Sequence, residues 1–219
     1  MTNPNLTLIA VLLDRSGSMQ SIKSDTEGGF AAYMQEQRDS AGRDEIVEVT
    51  LAQFDTEYDL VYANRPLPAV PPLQLQPRGM TALYDAVGRL ITDVGAELAA
   101  RPESARPGTV VVVVLTDGHE NSSKEWTHPA VRALITQQQD VYNWNFLFLG
   151  ANMDAVSIGT AMGFAPQQSI TYAAGAQGVS NVFRAAARNT SDLKSQRHLH
   201  ARARRGFTDQ ERHESNPGS

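Results

Sequence analysis

The stretch Leu8-Ile9-Ala10-Val11-Leu12-Leu13-Asp14-Arg15-Ser16-Gly17-Ser18 decides how this chain is read. An unbroken apolar run stops at a carboxylate, and two hydroxyls follow at alternate positions. Such a run, bounded by turn residues, is the pattern of a strand buried on both faces. In extended backbone every second side chain faces the same way, so Asp14, Ser16 and Ser18 aim three oxygens at one point. Carboxylate and hydroxyl oxygens suit a hard divalent cation, Mg²⁺ or Mn²⁺, and suit zinc or copper poorly. Asp, Ser and Gly also make ordinary turns after strands, so the pentapeptide alone is weak ground.

Two further features add to it. Thr81, in Arg78-Gly79-Met80-Thr81-Ala82-Leu83, stands where a helix begins, and Asp117, in Leu115-Thr116-Asp117-Gly118, ends a second apolar strand, Val110 to Leu115. Both fall on the sheet edge where α/β proteins place their sites. DxSxS, a Thr opening a helix, and a hydrophobic strand ending in TDG, in that order, resemble the metal-ion-dependent adhesion site (MIDAS) of the von Willebrand factor type A (vWA) family. The resemblance runs from about Leu6 to Asn189, with all five ligand positions matched.

The bulk properties agree. At 219 residues the chain holds one well-buried α/β domain. A net charge of -5 argues against a general nucleic-acid binder. There is no cysteine, so no disulfide framework, as suits a reducing cytosol. The first apolar run has no basic residues before it and stops at Asp14, which reads as a strand and neither as a signal peptide nor as a membrane anchor. Basic residues are nearly all Arg, with Lys only at 23, 124 and 194, a bias that hints at a GC-rich bacterial gene.

Strand and helix patterns alternate, pointing to a mainly parallel sheet covered on both faces. Leu6 to Leu13 is strand one. Ser24-Asp25-Thr26-Glu27 has capping-box spacing before a helix carrying Phe30, Tyr33, Met34 and Gln37. The Gly28-Gly29 pair inside it predicts close packing on the sheet. Ile46 to Phe54 and Tyr58 to Tyr62 read as a hairpin whose second strand is an antiparallel edge. Arg65 to Arg78, with five prolines, reads as a stiff surface loop delivering Thr81 to the site, rather than a PxxP ligand. Leu83 to Leu98 shows a helical apolar face. Helix from about His128 to Gln139, strand Asn145 to Leu149, a short helix stopping near Gly163, strand Ser169 to Tyr172 and a helix with Val179, Val182, Phe183 and Ala186 complete the set. The resemblance implies a doubly wound, vWA/Rossmann-like sheet of six strands in the order 3-2-1-4-5-6, with its switch point between strands one and four, which Asp14 and Asp117 close. The resemblance implies a vWA domain over residues 1–189. Residues 190–219 form a polar tail, basic through Lys194, Arg197, Arg202, Arg204 and Arg205, in which Thr208-Asp209-Gln210-Glu211 has the spacing to cap a short helix.

The resemblance further implies that Asp14, Ser16, Ser18, Thr81 and Asp117 hold the metal, Mg²⁺ or Mn²⁺. Two carboxylates balance a divalent cation and leave it electrophilic, so a partner's Asp or Glu is a favourable further ligand. The expected function is a metal-dependent protein-binding adaptor, cytoplasmic and bacterial, working beside an ATPase, a kinase or a stress-response assembly of the tellurite-resistance kind. No nucleic-acid or membrane partner is expected. Two alternatives stand beside it: a metal-dependent hydrolase or phosphatase, for which His119 and Glu120 are the nearby bases, and a structural domain in which the two Asp merely cap turns and helices. Position 16 is Ser, which cannot serve as the second acid of a phosphoaspartyl phosphatase. His198 and His200 lack partners for a zinc site, and no phosphate-binding glycine loop is present. Met19, Met80 and His119 to Trp126 should ring the metal. Asn121 and Ser122 are candidates to orient Asp117, and Trp126 to pin the next helix. In extracellular relatives the last helix slides on ligand binding; Val179 to Ala187 is the counterpart.

Overall fold

Nine consecutive residues of the first strand, Leu6 to Asp14, are buried, and a strand buried on both faces has to lie in the middle of a covered sheet. The computed structural model, which describes residues 1–195 and 206–217, places it there. Strand β1 (Asn3–Asp14) pairs in parallel with β2 (Ile46–Phe54) on one side and with β4 (Pro107–Thr116) on the other. Beyond β2 lies the antiparallel edge strand β3 (Tyr58–Pro66), and beyond β4 follow β5 (Asn145–Ala151) and β6 (Ser169–Tyr172), both parallel. The order is β3-β2-β1-β4-β5-β6. This is the doubly wound α/β architecture expected from the sequence.

Alternation along the strands builds two cores. Ile9, Val11 and Leu13 of β1, with Val111, Val113 and Leu115 of β4, face helices α1 (Lys23–Asp39) and α5 (Ala176–Ser195). Leu8, Ala10 and Leu12, with Val110, Val112 and Val114, face α2 (Leu83–Ala100) and α3 (His128–Tyr142). A small helix α4 (Ala155–Met162) covers β5 and β6 on the second face. The chain leaves β1 toward one side of the sheet and β4 toward the other, which opens a crevice at their carboxyl ends. Asp14 and Asp117 sit on that crevice.

Several local expectations are corrected. Ser24 is no N-cap: a 3-10 turn, Gly17–Ile22, runs straight into α1, whose N-cap Ile22 makes no side-chain cap. Glu27 instead receives Lys23 and the Leu75 N–H, fastening the proline-rich loop to α1. The close approach at Gly29 is to a helix and not to the sheet, since an added Cβ would overlap the Phe183 ring of α5; Gly28 meets nothing. Strand β3 extends to Pro66, four residues past Tyr62, because an edge position asks no N–H of a proline.

The C-terminal region also differs from a solvated tail. Helix α5 continues past Asn189 with Thr190 and Lys194 buried, Tyr33 and Thr190 hydroxyls 2.9 Å apart. Helix α6 (Asp209–Ser215) starts with the expected capping box: the Glu211 N–H donates to Thr208 Oγ1, and the Thr208 N–H to Glu211 Oε2 at 2.6 Å. Phe207 is buried in the α1/α5 core. Its N–H donates to Gln167 O at 2.7 Å, the Ala173 N–H donates to Ser215 O at 2.9 Å, and Arg212 reaches Ser169 O at 2.7 Å. The segment thus covers the outer edge of β6, where an open strand would invite pairing with another chain. His198, His200 and Arg197, Arg202, Arg204 and Arg205 lie outside the described residues.

Candidate metal centre

The five residues singled out in the sequence come from three loops, and the fold brings the loops together. Asp14 is fully buried at the end of β1, its Oδ1 accepting from the Ser16 N–H at 2.6 Å and its Oδ2 from Thr116 Oγ1 at 2.5 Å. These bonds fix the carboxylate at the root of its loop. Ser16 Oγ stands 3.2 Å from Ser18 Oγ, and Ser18 Oγ donates to Asp117 Oδ1 at 2.7 Å. Thr81, two residues before α2, is 3% exposed. Its hydroxyl lies against Gly118, where a Cβ would come within 2.5 Å of Oγ1, so only glycine after Asp117 lets the threonine in. Ser18 is exposed and Asp117 half-buried, which leaves the cluster open to solvent on one side.

The donor set fits a small hard cation. Among the described residues no three His, Cys, Asp or Glu side chains gather as a metal site. What gathers is two carboxylates and three hydroxyls, all oxygen. At Mg–O lengths of about 2.1 Å, neighbouring ligands of an octahedron stand about 3 Å apart. The 3.2 Å and 2.7 Å oxygen separations bracket that edge.

The electrostatics point the same way. Burial pushes the Asp14 carboxyl up to about 6, against the hydrogen bonds from Thr116 and Ser16, and the nearby Asp117 adds to the rise. Burial also raises Asp117, opposed by its bond from Ser18. Beneath them Tyr172 is fully buried, and burial, then the charges of Asp117 and Asp14, hold its phenol protonated. Two desolvated carboxylates side by side are costly as anions, and a cation between them relieves both burial and repulsion.

Loop 118–127 is tied to the start of α2. Glu120 accepts from the N–H groups of Ser122, Ser123 and Tyr84 and from Ser123 Oγ, at 2.7–2.9 Å. Asp85 accepts from the N–H groups of Lys124, Glu125 and Trp126. Asn121 Oδ1 accepts from the Thr81 N–H at 2.9 Å, and its own N–H donates to Thr81 O at 3.1 Å. Asn121 therefore bonds to Thr81 and not to Asp117, and Ser122 Oγ is buried without a hydrogen-bond partner. Trp126 packs on Gly88 of α2, pinning the loop to the core. Met19 is buried under the loop while Met80 is 54% exposed on the rim.

Sequence reading missed Asp55, Asp85 and Glu120 as organisers of these loops. Besides close backbone amides and the Ser123 hydroxyl, each has partners tens of residues away that no local spacing reveals: Arg15 and Arg78 for Asp55, the amides of Lys124 to Trp126 for Asp85, and the Tyr84 amide for Glu120. For Asp55 one signal existed: it comes directly after strand β2 while Asp14 closes β1, with Asp14 and Phe54 in register.

Neither family models nor curated proteins match the sequence. Solved structures do match the fold. Proximal thread matrix protein 1 from the mussel byssus, solved with its MIDAS motif occupied by zinc, superposes with a TM-score of 0.59 at 14% identity, over 86% of this chain and 47% of that one. A von Willebrand factor type A protein from Catenulispora acidiphila gives 0.56 at 14%, over 84% and 42%. The vWF domain of the type V pili tip protein Mfa5 from Porphyromonas gingivalis gives 0.57 at 9%, over 85% and 95%. The fold is that of a vWA domain. The chain spans less than half the length of the first two, and at these identities the likeness speaks for the fold alone. Among the described residues no helix is long and apolar enough to cross a membrane.

Proposed function

We propose that this chain is a protein-binding module in which Asp14, Ser16, Ser18, Thr81 and Asp117 hold Mg²⁺ or Mn²⁺ and an Asp or Glu of a partner completes the coordination. The observation that carries this is the convergence of Ser16, Ser18 and Asp117 oxygens at octahedral spacing on the open side of the crevice. Two protein carboxylates neutralise a divalent cation without saturating it, so a third carboxylate from outside is favoured. The cysteine-free acidic chain and its arginine bias support a bacterial cytoplasmic adaptor, with an ATPase, a kinase or a stress-response component as its client.

Hydrolysis is the weaker reading. It needs a base beside the metal, and the Glu120 carboxylate is already committed to four hydrogen bonds, leaving His119 on the exposed loop. A purely structural role is weaker too, because burying Asp14 and Asp117 together without a cation is a standing cost.

The test is calorimetry on metal-stripped protein with Mg²⁺ and Mn²⁺, for the wild type and Asp117→Ala, with and without acetate or an acidic peptide. Saturable binding that the substitution abolishes and carboxylate tightens is expected. Equal indifference of both proteins to metal overturns the reading.

A further inference from the structure

We infer that Asp55 is the positioning residue of this centre: its buried carboxylate ties the loop of Ser16 and Ser18 to the loop of Thr81 and so sets their spacing. The inference rests on the metal-binding reading above and adds to it a residue outside the ligand set.

Asp55 lies in the β2–β3 turn and is 1% exposed. Its Oδ2 accepts from Arg15 Nε at 3.0 Å and from Arg78 Nε at 2.8 Å, while Oδ1 accepts from the Glu57 N–H at 2.7 Å. Arg15 sits between Asp14 and Ser16, and Arg78 lies three residues before Thr81. The backbone of Asp55 grips the far side of the same threonine, its carbonyl accepting from the Ala82 N–H at 2.9 Å. One residue therefore holds the Thr81 loop at both ends and the serine loop at Arg15. Two backbone bonds complete the seam: Arg78 N–H to Arg15 O at 2.8 Å, and Gly17 N–H to Gly79 O at 3.2 Å. Gly79 sits at φ +68°, which favours glycine, and a Cβ there would press on Thr56 Oγ1 at 3.1 Å and Asp55 Cβ at 3.3 Å. The loop rests directly on the aspartate.

The three ligand loops form a triangle. Ser18 and Asp117 join two of them directly, and Asn121 joins Asp117's loop to Thr81. The third side, between the serines and Thr81, is made by those two backbone bonds together with Asp55 and its two arginines. Among the described residues no other carboxylate pairs with both arginines. Asp59 and Glu57 also meet Arg15 and Arg78, but their side chains are 57% and 72% exposed, where water screens and loosens such pairs. Burial would raise the Asp55 pKa, yet the bonds from Arg78 and the Glu57 amide and the charge of Arg15 hold it below the usual carboxylate range, so it stays an anion. Without it Arg15, 10% exposed at its side chain, becomes a poorly compensated cation beside the metal position.

The experiment compares Asp55→Asn, Arg78→Gln and their double variant with the wild type and Asp117→Ala, using full-length metal-stripped protein. Mg²⁺ affinity is measured by calorimetry and the melting temperature in chelator. Glu48→Gln, which breaks the Arg101 pair at the opposite sheet edge, is the control for plain destabilisation. Asp55→Asn is expected to weaken Mg²⁺ binding about tenfold, the low end for residues that orient metal ligands. Arg78→Gln should weaken it less, and the double variant no more than Asp55→Asn. The control should melt earlier with unchanged affinity. A folded Asp55→Asn that binds Mg²⁺ like the wild type overturns the inference while the metal site stands. If Asp55→Asn does not fold, Arg78→Gln, altered at a largely exposed side chain, decides, and unchanged affinity there overturns it as well. A wild type as indifferent to Mg²⁺ as Asp117→Ala removes the metal reading itself, and this inference with it.

Discussion

Replacing Asp14 by Asn should make the metal-free protein more stable and leave it unable to gain from metal. Asp14 is fully buried, and burial lifts its carboxyl from the ordinary 3.8 to about 6. An acid whose pKa is higher folded than unfolded binds its proton more tightly in the native state. Its favourable contribution is therefore present at low pH and disappears as pH rises from about 4 through about 6. Above that range the buried anion costs about 3 kcal/mol, at about 1.4 kcal/mol per pH unit. Asparagine keeps the acceptor for the Ser16 N–H. Its NH₂ can donate to Thr116 Oγ1, because that hydroxyl can turn to Gly118 O, 3.1 Å away. The neutral side chain thus fits with its bonds made. The assay is urea unfolding of wild type and Asp14→Asn between pH 4 and 8, in chelator and in excess Mg²⁺. In chelator the variant should be more stable by up to about 3 kcal/mol at pH 7.5, and the difference should vanish near pH 4. Because it is a difference, the opposing titrations of Asp55, Glu27 and Glu103, all held low, cancel. With Mg²⁺ only the wild type should gain. A variant less stable than wild type at pH 7.5 in chelator would refute the claim that burying this anion costs more than its hydrogen bonds return.

Three further substitutions test the packing that holds the site. Gly29→Ala forces a Cβ into the Phe183 ring, so the α1–α5 contact must open; a loss of about 2 kcal/mol in chemical unfolding is expected. Asp85→Ala strips the acceptor from three backbone N–H groups of loop 118–127, at about 1 kcal/mol or more for each left unmade. Hydrogen exchange at Lys124, Glu125 and Trp126 should rise well before global stability fails, and unchanged protection would refute the role. Phe207→Ala should cost about 3 kcal/mol in urea unfolding, since Phe207 belongs to the main core. A neutral result would return residues 206–217 to the standing of a dispensable tail.

Much of the fold was legible because the relevant physics is local. Short unbroken apolar runs such as Leu8 to Leu13 and Val110 to Leu115, bounded by turn residues, read as central strands, and the two-residue alternation of a strand assigns each residue to one face. The candidate site was legible in part for the same reason: DRSGS carries its spacing within five residues, while Thr81 and Asp117, at a helix start and a strand end, joined it through the resemblance to the vWA motif. Ends were less legible. The capping box at Ser24 matched in composition and failed in place, because the preceding 3-10 turn had already started the helix. The region after Asn189 read as polar because its few apolar residues, Phe207 above all, carry no period.

What the sequence by itself determined is the doubly wound sheet, the edge of that sheet where Asp14 and Asp117 emerge, and which oxygen-bearing side chains are the candidate donors. Tertiary structure alone decided how those donors are held apart. Asp55 meets Arg15 across 40 residues and Arg78 across 23, Asp85 and Glu120 bridge α2 to the loop after β4, and α6 closes the edge of β6. Such links depend on burial, which turns a surface charge pair into a rigid brace. Burial is a property of where distant segments meet, and no local spacing in the chain records it.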